Sequence, residues 1–348
     1  MTVPVPDTLE EALSPRWLSA ALRPHLGDID VVDVIPGPVV SRITTNARFR
    51  IVCSRPLPPT FSADLCVKGY FNDLGRAARV AGPPEALFYR DLAGEVGLRT
   101  LRAVYADVDR DSGHGVIVTR DVIVDGTSFL SAASEFSVDQ AATSLGELAR
   151  LHAATWNRTD LAEQPWLASR FDRIAWPSND EQIRRQFAGP NAANMPAAAR
   201  DADRLLAAYR IVEQLASTAD PWCVIHGDPH PGNLIIDRAG CPGFIDWQLV
   251  QCGPWFIDVG YHLAAALTTE QRRTAGHSLV LHYLDELSGH GIIPPGERDA
   301  WQAIRAGMVH GLFLWAITRY VDPPTIAIML ERLGTAVVDH DAFALTPA

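Results

Sequence analysis

The stretch that decides the fold is WCVIHGDPHPGNLIIDRAGCPGFIDW, at residues 222–247. An apolar run leads into a segment rich in proline and glycine, and two further apolar runs separated by a turn predict a β-hairpin. Polar side chains collect at one end, with Asp228 and Asn233 in the leading loop and Asp246 after the returning strand. Loops supported by short strands commonly carry reactive groups, so residues 222–247 are the predicted catalytic hairpin.

The spacing of these polar residues indicates phosphoryl transfer. Asn233 follows Asp228 with the D-x-x-x-x-N spacing of a kinase catalytic loop, and Asp246 follows a short apolar strand, where kinases place a magnesium-binding aspartate. The reaction needs a carboxylate that orients and deprotonates the acceptor hydroxyl, and oxygen ligands for the Mg²⁺ that neutralises a nucleoside triphosphate. The pattern predicts Asp228 as the catalytic residue and Asn233 and Asp246 as ligands of Mg²⁺.

The flanking sequence predicts an α+β fold in two parts. Residues 1–121 contain a short helical lead, begun by Ser14 and Pro15, and then strand-like runs interrupted by one helix. Residues 122–348 contain amphipathic helices, one of which opens with Thr268 and a glutamine three positions later, the spacing of a capping box. We therefore expect a small β-rich domain over 1–121 and a larger helical domain over 122–348 that includes the hairpin and the acceptor site.

Composition narrows the classes of function. The 348-residue chain has a net charge of −11 and no basic run, so nucleic-acid binding and attachment to an anionic membrane are both disfavoured. Its five cysteines are scattered and never form C-x-x-C, which disfavours a disulfide framework and favours a reducing compartment. The N-terminus lacks a secretory pattern, and the longest strongly apolar stretch, near 311–317, is too short to span a bilayer. We expect a soluble cytoplasmic protein and make no prediction of its oligomeric state.

The segments HGDPHPGNLIID, FIDWQ and GPWFIDVGYHL resemble the aminoglycoside phosphotransferase superfamily, which includes choline kinases. A later helix and the DWQ variant resemble most closely the ecdysteroid-kinase-like branch of that superfamily. The resemblance implies a two-lobed, protein-kinase-like fold with a small β-rich N-lobe and a larger helical C-lobe. It also implies an enzyme that moves the γ-phosphoryl group of ATP, or of another nucleoside triphosphate, to a hydroxyl of a small molecule.

The same resemblance implies a nucleotide site upstream of the hairpin. Lys68, in the strand DLCVKGYF, takes the place of the phosphate-binding lysine, and Glu85 takes that of the helix glutamate that pairs with it. A lone lysine in an apolar strand is otherwise found on a sheet edge that faces water. The turn over the phosphates lacks a glycine-rich motif, so the hydroxyls of Ser41 and Thr44 are candidates there, and the segment joining the lobes offers its backbone to adenine. That segment comprises Thr119, Arg120, Asp121 and Val122.

Three residues near the motif are assigned supporting roles. His226 is expected to brace the loop by hydrogen bonding, and His230 either to do likewise or to approach the acceptor. Asp258, which precedes an apolar helical run, is either an ordinary helix N-cap or, as the resemblance implies, a hydrogen-bonding partner of the catalytic loop.

Other functions remain open at this point. The H-x-D-x-H pattern of His226, Asp228 and His230, together with Asp246, would also suit a metal hydrolase, although the neighbouring prolines argue against a regular strand there. A catalytically silent, kinase-like nucleotide-binding module and a protein kinase are further alternatives. The acceptor is not identified, because acceptor contacts would come from the variable helical part; aminoglycosides, choline-like alcohols, sugars, macrolides and steroids all remain candidates.

Overall fold

The computed structural model describes residues 3–174 and 178–345. The chain divides into two compact units, Met1–Thr127 with Asp246–Leu249, and Ser128–Ile245 with Val250–Ala348. The chain therefore leaves the first unit six residues after the expected boundary at 121 and returns to it for a short segment that begins with Asp246. The domain boundary read from the sequence stays a prediction.

The first unit contains an antiparallel sheet, which in the described residues has the strand order β1-β2-β3-β5-β4. All of its strands lie where apolar runs predict them. The strands are β1 Val31–Ser41, β2 Thr45–Cys53, β3 Asp64–Gly69, β4 Ala103–Val108 and β5 Gly115–Arg120. Strand β3 lies inside the sheet, between β2 and β5, so its residues have neighbours on both sides.

Short helices complete this unit and cover part of the sheet. Helix α2 begins with Ser14, whose side chain accepts the backbone N–H of Trp17, and with Pro15 in the first turn, as predicted. Leu18 of that helix belongs to the same buried cluster as Phe49 of β2. The helices are α1 Leu9–Ala12, α2 Pro15–Ala21, α3 Arg23–Leu26, α4 Asp73–Ala77, α5 Pro83–Leu87 and α6 Ala93–Val96, with a π-helical turn at Phe88–Leu92.

The second unit is mainly helical. Its helices are α7 Val138–Ala154, α8 Thr159–Ala162, α9 Phe171–Ile174, α10 Ser178–Ala188, α11 Ala202–Ser217, α12 Trp255–Ala266, α13 Thr269–Gly289, α14 Glu297–Ile317 and α15 Pro323–Asp339. Thr268 and Gln271 form the predicted capping box at the start of α13. Across the described residues, no helix is both long and apolar enough to cross a membrane.

Short strands carry the motif of the second unit. Strands β8 Leu234–Ile236 and β9 Pro242–Phe244 form the predicted hairpin, and β6 Ser128–Phe129 pairs with β8. Strand β7 Cys223–Ile225, which leads into the motif, pairs instead with β10 Gln251–Gly253. The loop from His226 to Asn233 therefore connects two separate small sheets.

Helices α12 and α14 approach each other through glycines. A Cβ atom on Gly260 would overlap the carbonyl oxygen of Ile304, and one on Gly307 would overlap the carbonyl oxygen of Ile257. Backbone atoms cannot swing aside as a flexible side chain can, so these positions require the absence of a side chain. The contact matters for the motif, because α12 carries Asp258, Tyr261 and His262.

We predict that Gly260→Ala lowers the free energy of unfolding by about 2–4 kcal/mol, since the two helices must separate to admit the methyl group. The matched control is Gly276→Ala in α13, where a Cβ atom would meet only side-chain atoms at 3.7 Å and beyond. Alanine has the higher helix propensity, so this control should be neutral or stabilising by up to about 1 kcal/mol. Urea denaturation of both variants measures the difference, and equal effects would contradict the backbone contact.

Candidate active site

Lys68, Glu85 and Asp246 form a charged cluster in the first unit. The Lys68 Nζ atom lies 2.7 Å from Glu85 Oε2 and 3.0 Å from Asp246 Oδ1. Lys68 is on the interior strand β3, opposite Asn46 of β2 and Ile117 of β5, so the edge-strand alternative for this lysine is wrong. The side chains of Lys68 and Glu85 are 18% and 5% exposed, whereas that of Asp246 is 38% exposed.

The charges of this cluster support one another. Burial opposes the charged ammonium, but the carboxylates of Asp246 and Glu85 outweigh it and raise the pKa of Lys68 above its ordinary range. Burial raises the pKa of Glu85, against which the neighbouring ammonium acts. Lys68 is therefore a permanent positive charge whose position two carboxylates define.

The backbone holds Asp246 in an unusual conformation. Its φ of 62° lies in the left-handed region, which costs free energy for a residue with a side chain. The next residue, Trp247, is fully buried, stacks on Phe88 with ring centroids 3.8 Å apart, and donates its indole N–H to Thr100 Oγ1 at 3.1 Å. Packing of Trp247 against the helical segment that begins near Glu85 thus compensates for the strain at Asp246.

In the second unit, Asp228 accepts hydrogen bonds on both carboxylate oxygens. The Tyr261 hydroxyl donates to Oδ1 at 2.8 Å, and Asn233 Nδ2 donates to Oδ2 at 3.2 Å and to the Asp228 carbonyl oxygen at 2.9 Å. His230 Nε2 lies 3.6 Å from Oδ2. Burial disfavours the charge, but His230 and the Tyr261 hydroxyl outweigh it and hold the pKa of Asp228 to about 2. Asp228 is therefore an ionised carboxylate at neutral pH.

Asp258 shapes the backbone ahead of Asp228. It is fully buried and accepts the backbone N–H groups of His226 at 2.7 Å and Gly227 at 2.9 Å. Helix α12 begins at Trp255, with Pro254 at the N-cap, so the N-cap alternative for Asp258 is wrong. Gly227 has a φ of 80°, a conformation that favours glycine, and the chain can turn there because both amides are held.

Buried histidines brace the carbonyl groups of the same loop. A carbonyl oxygen can only accept, so the histidine nitrogen that faces it must carry the proton. His226 Nε2 donates to Ile245 at 2.9 Å, His262 Nδ1 donates to Pro229 at 2.7 Å, and His310 Nε2 donates to Gly227 at 3.0 Å. His226 Nδ1 also accepts the N–H of Asp228 at 3.2 Å, so both of its ring nitrogens are engaged.

These contacts disfavour the metal-hydrolase alternative. His226 has no nitrogen left for a metal, and His230 Nδ1 accepts the backbone N–H of Gly232 at 3.0 Å. Within residues 3–174 and 178–345, no group of three or more His, Cys, Asp or Glu side chains could hold a metal ion. Mg²⁺ differs from such a metal in that phosphate oxygens and water supply most of its ligands, with few from the protein.

The predicted phosphate-loop residues lie at the β1–β2 turn. Ser41 Oγ is 3.1 Å from Thr45 Oγ1, and Asn72 Nδ2 donates to Ser41 Oγ at 2.7 Å and to the Arg42 carbonyl oxygen at 2.8 Å. Thr44 lies in the turn itself, where its carbonyl oxygen accepts the N–H of Arg42 at 2.9 Å. Asn72, at the N-cap of α4, therefore fastens this turn.

The predicted adenine-binding segment lies at the end of β5. Thr119 is buried, and the Arg120 side chain turns to Asp125, 2.8 Å away. The buried carboxylate of Asp121 pairs with Arg48 at 2.7 Å and accepts the N–H of Ile123 at 3.0 Å. The backbone N–H of Arg120 donates to the Arg102 carbonyl oxygen, and that of Asp121 donates to the Asp64 carbonyl oxygen. Val122 begins a 3₁₀ helix.

The structure thus brings the predicted residues together in two sets. One contains Lys68, Glu85 and Asp246, and the other contains Asp228 with Asn233, His230 and, behind the loop, His226 and Asp258. Sequence reasoning missed Asn72, Tyr261 and Trp315, whose indole N–H donates to the Tyr261 hydroxyl oxygen at 2.8 Å. Asn72 carried a signal, because Asn before a helix start is a common N-cap. Tyr261 and Trp315 carried none beyond their apolar helical setting.

An ion-paired lysine, an aspartate after the hairpin and a braced HGD loop are the features that the sequence predicted for a phosphoryl-transfer enzyme of the kinase type. The phosphotransferase enzyme family model matches residues 71–303, more than half of the chain, and the chain belongs to that family. The superfamily that the sequence resembles is therefore confirmed, while the narrower ecdysteroid-kinase-like resemblance stays a prediction. Among curated proteins, none matches the sequence significantly.

Several solved structures share the fold. Choline kinase LicA from Streptococcus pneumoniae is 14% identical, with 95% of this chain and 99% of that chain covered and a TM-score of 0.52. Choline kinase from Cryptosporidium parvum is 11% identical, with coverages of 94% and 98% and a TM-score of 0.55. Spectinomycin phosphotransferase APH(9)-Ia is 12% identical, with coverages of 94% and 99% and a TM-score of 0.50. At these identities the likeness establishes the fold, and the predicted α+β, protein-kinase-like class is confirmed.

The buried histidines predict a loss of stability in mild acid. Burial lowers the pKa of His262 from 6.5 to about 4, so between these values the unfolded chain binds a proton that the folded chain does not. Stability is therefore lost as pH falls from 6.5 to 4, by up to about 3 kcal/mol from this residue. Asparagine can replace the Nδ1 donor without titrating, so urea midpoints of His262→Asn should fall less steeply with pH than those of wild type. The control is His277→Asn, at an exposed position, and an unchanged slope in His262→Asn would contradict the assignment.

Proposed function

We propose that the protein transfers the γ-phosphoryl group of ATP, with Mg²⁺, to a hydroxyl group of a small molecule. The observation that carries this proposal is the Lys68 ammonium held within 3.0 Å of both Glu85 and Asp246, in a member of the phosphotransferase enzyme family. The two carboxylates compensate for the cost of burying this ammonium, and a polyphosphate is a ligand whose negative charge the ammonium can stabilise. Lys68 would steady the phosphates, and Glu85 would position Lys68.

In this proposal Asp228 orients the acceptor hydroxyl. With a pKa held to about 2 it is a weak base, so its main contribution is to align the hydroxyl oxygen for attack and to accept the proton as the new O–P bond forms. Phosphoryl transfer depends mostly on placement and charge stabilisation, which makes an orienting carboxylate sufficient.

Asn233 and Asp246 would hold the metal. The Asn233 amide nitrogen donates to Asp228, so the amide oxygen is the atom left for a hard cation, and Asp246 supplies a partly exposed carboxylate. The backbone N–H of Ile245, the residue before Asp246, donates to the Asn233 carbonyl oxygen at 2.9 Å. Bound Mg²⁺ would neutralise charge on the triphosphate.

The remaining nucleotide contacts are proposed from chain position. Ser41 and Thr44 would face the phosphates from a turn that Asn72 fastens in place of a glycine-rich motif. In the segment Thr119–Val122, the N–H groups of Arg120 and Asp121 are already donated, so the N–H of Val122, at the start of a 3₁₀ helix, is the donor for adenine.

The acceptor is proposed only as a class, a small hydroxylated compound. The structures that share the fold include choline kinases and a spectinomycin phosphotransferase, so choline and spectinomycin are the first probes. Ethanolamine, a macrolide and simple sugars complete the panel, because the sequence leaves these classes of acceptor open. We also propose a cytoplasmic location, because the five cysteines of the protein are unpaired and its proposed co-substrate is ATP. The alternative of a catalytically silent module predicts nucleotide binding without turnover in this panel.

We predict that Asp228→Asn lowers the rate of phosphoryl transfer about 10²- to 10⁴-fold while MgATP binding is retained, because the amide keeps the shape but cannot accept the proton. ATP consumption with the best acceptor of the panel measures the rate. The matched control is Asp237→Asn, at the distal turn of the same hairpin, which should retain wild-type turnover. Undiminished turnover of Asp228→Asn would remove Asp228 from the reaction.

A second prediction separates the metal from the nucleotide. Asp246→Ala should abolish the part of ATP affinity that depends on Mg²⁺, since it removes a metal ligand, while the weaker binding of ATP without Mg²⁺ persists. Calorimetric titration of ATP with and without Mg²⁺ gives both affinities. Asp91→Ala, at an exposed carboxylate on the first unit, is the control, and identical Mg²⁺ dependence in Asp246→Ala and wild type would refute the metal assignment.

A further inference from the structure

A chain of hydrogen bonds in the second unit ends on Asp228. Trp315 Nε1 donates to the Tyr261 hydroxyl oxygen at 2.8 Å, and the Tyr261 hydroxyl donates to Asp228 Oδ1 at 2.8 Å. The direction is fixed by chemistry, because an indole N–H can only donate and an ionised carboxylate can only accept. Tyr261 is fully buried and Trp315 is 4% exposed, so water does not compete for these bonds.

The bond from Tyr261 is the stronger of the two that hold the carboxylate. Asn233 Nδ2 reaches Asp228 Oδ2 at 3.2 Å and shares its donors with the Asp228 carbonyl oxygen, whereas the phenol bond to Oδ1 is short and charge-assisted. The terminal torsion of an aspartate has a broad energy minimum, so without the phenol the carboxylate plane could rotate about that torsion. Tyr261 thus restricts which oxygen is presented.

The two carboxylate oxygens therefore differ in their surroundings. Oδ1 points to the buried phenol, and Oδ2 lies on the side of His230, whose side chain is 16% exposed. Only an oxygen on the accessible side can meet an incoming hydroxyl. We propose that Tyr261, itself held by Trp315, is a positioning residue for phosphoryl transfer that fixes the Asp228 carboxylate with Oδ2 towards the acceptor.

Close packing between α12 and α14 confines the Tyr261 ring. Tyr261 follows Gly260, the glycine that lets α12 approach α14, and a Cβ atom on Gly311 of α14 would overlap the Tyr261 ring. Trp315 lies one turn further along α14, on the same helix as Gly311. The ring of Tyr261 is therefore confined by backbone, and its hydroxyl has little freedom to leave Asp228.

This inference rests on the proposed function and is tested by the split between kcat and KM. Tyr261→Phe keeps the ring and removes the hydroxyl, so we expect kcat to fall about 10- to 30-fold, the loss of one hydrogen bond to a charged group. KM for ATP and for the best acceptor of the panel should change less than about 3-fold, because the phenol contacts neither. The rate of phosphoryl transfer to water, measured with MgATP alone, should fall by the same factor as kcat.

A second variant tests the order of the chain. Trp315→Phe keeps an aromatic ring beside His230 and removes the N–H that holds the phenol, so kcat should fall by a smaller factor, about 3-fold. Because Trp315 acts through the Tyr261 hydroxyl, the double variant should have the kcat of Tyr261→Phe alone. If the fall in kcat of the double variant equals the product of the two single falls, Trp315 acts separately from Tyr261. That result would overturn the proposed chain from Trp315 through Tyr261 to Asp228.

The control removes a different buried phenol hydroxyl. Tyr105, on β4, has a buried hydroxyl without a hydrogen-bond partner in the part of the chain that the structure describes, and Tyr105→Phe should leave kcat unchanged. Wild-type kcat in Tyr261→Phe, or a loss confined to KM, would overturn the positioning role while the proposed function stands. If wild type itself shows no transfer to any acceptor or to water, the proposed function fails and this inference fails with it.

Discussion

The loop from His226 to Asn233 depends above all on one buried carboxylate, that of Asp258. An ionised group without solvent is costly unless hydrogen bonds replace its hydration, and here the backbone amides of His226 and Gly227 do so. His152 Nε2 lies 3.3 Å from the same carboxylate. A change in the loop conformation would break these hydrogen bonds and leave the buried carboxylate of Asp258 without its partners. Asp228 follows Gly227 directly, so the hydrogen bonds to Asp258 also fix the position of Asp228.

The loop is braced at its carbonyl groups by a second set of partners. Neutral histidines suit this role because each ring offers a donor at a fixed distance from the helix that carries it. His262 and His310 come from α12 and α14, the two helices that touch through glycine, so the packing of that helix pair and the geometry of the loop are coupled. Stability and site geometry therefore share the same residues in this unit.

The first unit also contains a buried charge, and there ion pairs stabilise it in place of hydrogen bonds to the backbone. Lys68 sits on an interior strand, where an unpaired ammonium would not be tolerated, and Glu85 and Asp246 compensate for it. Asp246 adopts a strained, left-handed backbone conformation. The stacking of the buried Trp247 on Phe88 compensates for that strain. The strained residue and the packed residue are adjacent, so the sequence pair Asp-Trp acts as one structural element.

The sequence alone determined most of the elements. Apolar runs predicted the strands of the first sheet and the β8–β9 hairpin, and the Ser14-Pro15 and Thr268 caps predicted two helix starts. These predictions are confirmed, because periodicity and capping are local properties. Motif spacing also selected Asp228, Asn233 and Asp246, whose roles in the reaction stay a prediction. Tertiary structure alone decided that Lys68 is interior, that Asp258 serves the loop and does not cap its helix, and that β7 pairs with β10. It also brought Tyr261, Trp315 and Asn72 to their partners, because those contacts join residues far apart in the chain through helix and turn packing, which leaves no periodic trace in the sequence.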